Sequence, residues 1–181
     1  MRLAAIVTLL LGFAGLAPLA PAQATAAASA PGSPVVSTVR SLEQRQSRNL
    51  IGAAEEMPAE KYTYRPTPEQ MTFAHLVMHI AESNNSLCAR IAGEKPSEVK
   101  LSETDSKDVL SKSLKESFTY CEQVLAKADD SELAQPVVLF GGRTGTKAAA
   151  LIYLAADWAD HYSAAAMYLR LNGMLPPSAK K

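Results

Sequence analysis

The stretch from Ser106 to Ala128, SKDVLSKSLKESFTYCEQVLAKA, shows most clearly how this chain folds. Leu110, Leu114, Phe118, Cys121 and Leu125 recur at spacings of four, four, three and four, so they share one helical face. Lys, Glu and Gln fill the opposite face, and the every-second-residue alternation of a strand is absent. The segment reads as an amphipathic helix.

Three more stretches read the same way. Before it, Thr67-Pro68-Glu69-Gln70 has the residues of a helix start: Thr to cap, Pro for the first helical position and Gln to return a bond. The stripe that follows is Phe73, Leu76, Val77, Ile80, Leu87 and Ile91, closed by Gly93. Earlier still, Val35, Val39, Leu42, Leu50, Ala53 and Met57 form a stripe interrupted by Gln46 and ended by Pro58. A capping-box pattern, Ser41-Leu42-Glu43-Gln44, lies inside that stripe and leaves its start open.

After the opening stretch, a linker from Asp129 to Gly145 carries the short extended piece Gln135 to Gly142 and the turn-like run Gly141-Gly142-Arg143-Thr144-Gly145. That run lacks the strand, Lys and helix context of a phosphate loop. The last helix runs from about Thr146 to Asn172, capped by Gly173, and is apolar nearly all round between Ala148 and Ala156, as if enclosed by its neighbours. Four such segments without a convincing sheet predict an all-α four-helix bundle, with long connections between helices 2 and 3 and between helices 3 and 4.

The N-terminus has a different character. Met1-Arg2, the apolar run Leu3 to Ala17 and the small-x-small step Ala22-Gln23-Ala24 describe a signal peptide over residues 1–24. The apolar run is shorter than the ~20 residues a membrane span needs and Pro18 and Pro21 follow it, so no stable span is expected after cleavage. Residues 25–34, rich in Ala, Ser and Pro, read as a flexible leader, and 35–178 as the bundle. The expected location is periplasmic or secreted. Across all 181 residues, 18 Lys and Arg balance 18 Asp and Glu, which gives no electrostatic footprint for nucleic acid.

Two Cys in an exported chain usually pair, and Cys88 and Cys121 fall on the second and third helices, so a bridge between them is expected. Two separate buried thiols are the alternative. A shared metal site with His79 fails on geometry, because nine residues place Cys88 about 180° round the helix and roughly 13 Å along it.

The chain has three His. His75 and His79 stand one turn apart on the second helix, and Asp157 and His161 one turn apart on the fourth. Imidazole and carboxylate from facing helices are how a bundle builds a metal site, although such pairs also occur as plain polar residues at a bundle edge. Trp158 and Tyr168 read as packing residues, Arg170 suits a helix C-terminus, and Tyr162 stands where it could touch a substrate.

Two stretches, MPAEKYTYRPTPEQMTFAHLVMHIAESNNSLCARIAG from Met57 to Gly93 and DWADHYSAAAMYLRLNGMLPPS from Asp157 to Ser178, resemble the DinB family of metal-binding four-helix bundles. The second carries the resemblance in His161-Tyr162, Tyr168, Arg170, Asn172-Gly173 and Pro176-Pro177-Ser178. The family's ligand triad falls on His79, Asp157 and His161. This chain departs from the family pattern there, with Asp157 where the middle His belongs and Ser163 where a Gly follows His-Tyr.

The resemblance implies a divalent cation (zinc, nickel, manganese or iron), a small-molecule substrate for thiol transfer or hydrolysis, and room for a homodimer. A two-His-one-Asp set is harder than three imidazoles and keeps positions open, with Asp160 or Glu82 available to orient an imidazole. The alternative is a degenerate site in a non-catalytic binding or structural module.

Overall fold

The computed structural model of the protein describes residues 32–97 and 100–180. The expected signal peptide and the leader up to residue 31 lie outside the described residues. Four helices, α1 (Pro34–Glu56), α2 (Phe73–Ala92), α3 (Lys107–Lys127) and α4 (Lys147–Leu171), form the bundle expected from the stripes. Among the described residues no helix is long and apolar enough to cross a membrane.

Hydroxyl caps set three of the helix starts. Ser106 accepts the Val109 N–H, Thr146 that of Ala149 and Thr72 that of His75, each satisfying a donor that the first turn leaves free. The bounds of α3 and α4 therefore follow the reading closely. The start of α2 does not: Thr67 to Gln70 is a turn, closed by the Gln70 N–H on the Thr67 carbonyl, and the helix starts six residues beyond Thr67, at Phe73. Thr-Pro serves a turn as readily as a cap, and sequence pattern alone does not separate them.

α1 begins at Pro34, one residue earlier than the expected boundary, and runs straight through Ser41 to Gln44. Its buried face is also rotated from the expected stripe. Val36, Val39, Glu43, Gln46, Leu50 and Ala53 point inward, while Val35 is 41% exposed and Leu42 half-buried. Two polar residues hold core positions, and their polarity hid the true phase.

α1 and α2 each pack against both α3 and α4, so helices consecutive in the chain, α1 with α2 and α3 with α4, stand at opposite corners. Such diagonal steps need long connections, and residues 57–72 and 128–146 supply them. The second one folds into an antiparallel hairpin that the sequence did not announce. β1 (Pro136–Val138) pairs with β2 (Thr144–Thr146) in the register Pro136 to Thr146 and Val138 to Thr144. Gly141 and Gly142 take left-handed φ values of 66° and 73° at its tip. At Gly145 a Cβ would lie 2.2 Å from Leu139 Cδ1, so a larger residue there would force the buried Leu139 side chain to move.

The expected Cys88–Cys121 disulfide joins α2 to α3 with 5.3 Å between Cα atoms. Beside it the Trp158 Nε1–H donates to Asn84 Oδ1 at 2.6 Å, and Asn84 Nδ2 donates to Ser117 Oγ at 3.0 Å. These three helices are thus locked by a buried, satisfied polar network as well as by apolar packing. The expected enclosure of α4 is not what is found: Ile152 is 63% and Tyr153 44% exposed, and the helix buries Leu151, Leu154 and Trp158 instead. The many Ala residues make α4 look apolar all round while contributing little area to any face.

Candidate metal centre

The seam between α2 and α4 brings His79, Asp157 and His161 together. Each offers one ligand atom, and these atoms lie within 4.8 Å of one another. The two imidazoles are 4.7 Å apart between centroids, with their planes inclined by 33°. All three side chains are partly buried.

The seam is held in register by residues one turn or one position away. Asn84, which follows Ser83, and Trp158, which follows Asp157, join α2 to α4 through their hydrogen bond. One turn after His79, Ser83 sets its hydroxyl 3.4 Å from His79 Nε2. His161 Nδ1 lies 2.7 Å from the Asp157 carbonyl oxygen, so it carries the proton and donates. That tautomer leaves Nε2 with the free lone pair that a metal ligand needs. The orienting groups are therefore a main-chain carbonyl and Ser83 rather than Asp160 or Glu82, which form no hydrogen bond to either imidazole among the described residues.

Burial, reinforced by the neighbouring His161, lowers the His79 pKa and keeps this imidazole neutral, the form that binds a cation. Burial raises the Asp157 carboxyl, opposed by the attraction of His161 and His79. Asp157 Oδ1 lies 3.5 Å from His161 Nδ1, and Oδ2 is buried without a hydrogen-bond partner. A buried carboxylate oxygen left unpaired costs roughly 1–3 kcal/mol or more, and a cation between the imidazoles would remove that cost. The donor set thus fits a divalent ion: two imidazole nitrogens and one hard oxygen, with an open side.

The open side is a cleft of about 360 Å³, walled by Leu87, Tyr153 and Ala156 and by Phe140 from the hairpin tip, with Asp160 at its border. Arg90 on α2 fixes the hairpin by donating to the Val138 carbonyl, and its guanidinium lies 5.7 Å from the Phe140 ring centre.

The sequence model of the DinB superfamily matches residues 42–164, a span that includes all three ligand candidates. The chain belongs to the DinB superfamily. No curated protein gives a significant sequence match to it. Among solved structures, a DinB-like protein from Bacillus cereus superposes with a TM-score of 0.64 at 15% identity, covering 78% of this chain and 95% of that one. A DinB-like protein from Bacillus subtilis gives 0.64 at 21% identity, with 80% and 99% covered. The mycothiol-dependent maleylpyruvate isomerase gives 0.59 at 15% identity, with 71% of this chain and 59% of the isomerase covered. At these identities the likeness bears on the fold alone.

Other residues singled out from the sequence lie elsewhere in this DinB fold. His75 turns away from His79 and pairs with Glu103 at 3.2 Å, both half-exposed. The Tyr162 hydroxyl accepts the Ser178 N–H at 2.9 Å, so it anchors the C-terminal tail instead of facing the cleft. The Tyr168 hydroxyl donates to the Met71 carbonyl, and Trp158 is fully buried, as packing residues should be. Ser83, Asn84 and Phe140 were missed. Asn84 left a signal, a polar residue four after Ile80 and three before Leu87 in an apolar stripe, but Phe140 reaches the site only through the unforeseen hairpin.

Proposed function

We propose that this DinB-superfamily protein is exported and binds one divalent cation through His79, Asp157 and His161, and that the bound ion serves transfer or hydrolysis on a small molecule. The observation that carries the reading is the partnerless Asp157 Oδ2, buried beside the imidazoles of His79 and His161. When bound, a divalent cation supplies Lewis acidity that lowers the pKa of a water or thiol in the cleft. His161 is held for this by its own backbone turn.

Export is supported by the N-terminal pattern and by the disulfide, which persists outside reducing compartments. The structural neighbour that depends on mycothiol makes thiol chemistry one of the reactions to screen. A degenerate, non-catalytic site is the second reading, favoured by the raised Asp157 carboxyl, since a neutral acid is tolerable without a metal. Elemental analysis of the mature protein, prepared without chelators, separates the two. Near-stoichiometric metal that disappears in His161→Ala is expected. Absence of metal after incubation with zinc, manganese, iron and nickel in turn would leave the degenerate reading.

A further inference from the structure

We propose that the cleft at the mouth of this centre takes a small organic cation, an ammonium group on an aromatic or aliphatic body. The inference rests on the proposed function only in treating the centre as the place where the ligand would react. The binding itself is carried chiefly by Asp160, Phe140 and Tyr153, which lie outside the ligand triad.

The cleft's volume of about 360 Å³ suits a small molecule, and its border carries two carboxyl groups beside the imidazole of His161. Asp157 and Asp160 line it, and no Lys or Arg does. Asp157 faces the imidazoles, whereas Asp160 is exposed and enters no ion pair or hydrogen bond within the described residues. Asp160 would repel a ligand that carries a carboxylate or phosphate. A cation finds a counter-charge ready there.

The walls add a second, independent preference. Phe140 and Tyr153 are each 44% exposed and both border the cleft, one from the hairpin and one from α4. Aromatic faces beside a free carboxylate are the arrangement that binds ammonium groups, by ring quadrupole and charge together. Phe140 is also held rather than loose. Arg90 bonds the hairpin at Val138, the Leu139 N–H donates to the Arg143 carbonyl at 2.7 Å, and the Leu139 side chain is buried over Gly145. The nearby cation, Arg90, lies outside the cleft lining, is held by the Val138 carbonyl and Ser86 Oγ, and forms no ion pair with Asp160.

The test is calorimetric titration of the mature, disulfide-bonded protein, metal-free and then metal-loaded. The probes are phenethyltrimethylammonium, 2-phenylethanol and 3-phenylpropionate. The quaternary probe carries charge without a lone pair, so it cannot bind by coordinating a metal. On the metal-free protein we expect the ammonium probe to bind at least tenfold more tightly than the alcohol or the carboxylate. Asp160→Asn should abolish that preference without changing the melting temperature, and Phe140→Ala should weaken the ammonium probe several-fold. Equal or tighter carboxylate binding, an unchanged preference in Asp160→Asn, or no binding of the ammonium probe at millimolar concentration would overturn the proposal. Ammonium selectivity in a protein that takes up no metal would sink the metal reading and leave this one standing. Stoichiometric metal without ammonium selectivity would do the reverse.

Discussion

Two carboxyl groups inside this bundle are lifted above their ordinary pKa by burial, and they differ in which other side chains stand at coordination distance. Glu43 on α1 is 4% exposed and pushed up to about 7, by burial and then by the charge of Glu122 on α3. Ser47 and Arg48 oppose the shift without cancelling it. Asp157 on α4 is raised by burial as well, but its neighbours are two imidazoles, and one of its oxygens has no partner. A raised carboxyl is therefore not a mark of a site. The surroundings decide, and only Asp157 has a second and third donor at coordination distance.

Exchanging each acid for its amide tests that contrast most directly. Asp157→Asn should cut metal affinity by more than the roughly 10- to 100-fold that removing an outer partner of a ligand costs. Glu43→Gln should leave it unchanged. The readout is the rise in melting temperature on adding a divalent ion, which for ligand at a hundred times its Kd corresponds to about 2.7 kcal/mol. A shift retained in Asp157→Asn would erase the difference drawn between the two acids.

The disulfide lies on the α2–α3 side of the same helix that carries His79, and its effect belongs to stability rather than to the centre. Closing a loop with a sequence separation of 33 residues gives about 3 to 4 kcal/mol in the chain-entropy model. Cys88→Ala with Cys121→Ala should lower the denaturation free energy by that amount. Metal content in the folded fraction should stay intact, because the Asn84, Trp158 and Ser117 network still joins the helices. Loss of metal together with the bridge would show that the α2–α4 seam depends on the α2–α3 one.

Glu43 gives the pH dependence its sign. Its folded pKa of about 7 exceeds the ordinary 4.5, so between those values the folded state holds a proton that the unfolded chain has released. Stability from this group is complete below about pH 4.5 and is lost as pH rises to about 7, amounting to at most about 3 kcal/mol. Glu43→Gln should match the parent in urea at pH 4.5 and exceed it at pH 8. Equal midpoints at pH 8 would mean that water or a shifted Arg48 already compensates the buried charge.

Legibility followed the same divide. α3 and α4 could be bounded from sequence because Ser106 and Thr146 are good caps, before strong periodicity in α3 and a long apolar run in α4, and the disulfide followed from two Cys on facing helices. The phase of α1 could not, since Glu43 and Gln46 in core positions look like surface. His79, Asp157 and His161 emerged from spacing joined to resemblance. Their orienting partners did not, because a main-chain carbonyl has no sequence signature and the hairpin carrying Phe140 depends on Leu139 closing over Gly145.

His75 supplies the smallest effect and the sharpest control on the spacing argument. It stands one turn before His79, as Asp157 stands one turn before His161, so sequence alone treats the two pairs alike. The structure separates them. His75 Nδ1 meets Glu103 at 3.2 Å, with both side chains nearly half exposed, and solvent screens such a pair. His75→Ala should therefore cost less than about 1 kcal/mol and leave metal content at the parent value. Its backbone N–H still bonds the Thr72 cap after the change, so the start of α2 is preserved. Metal loss in this variant, measured by elemental analysis of the folded protein, would mean that the centre recruits the turn before His79 and that the triad is drawn one residue too narrow.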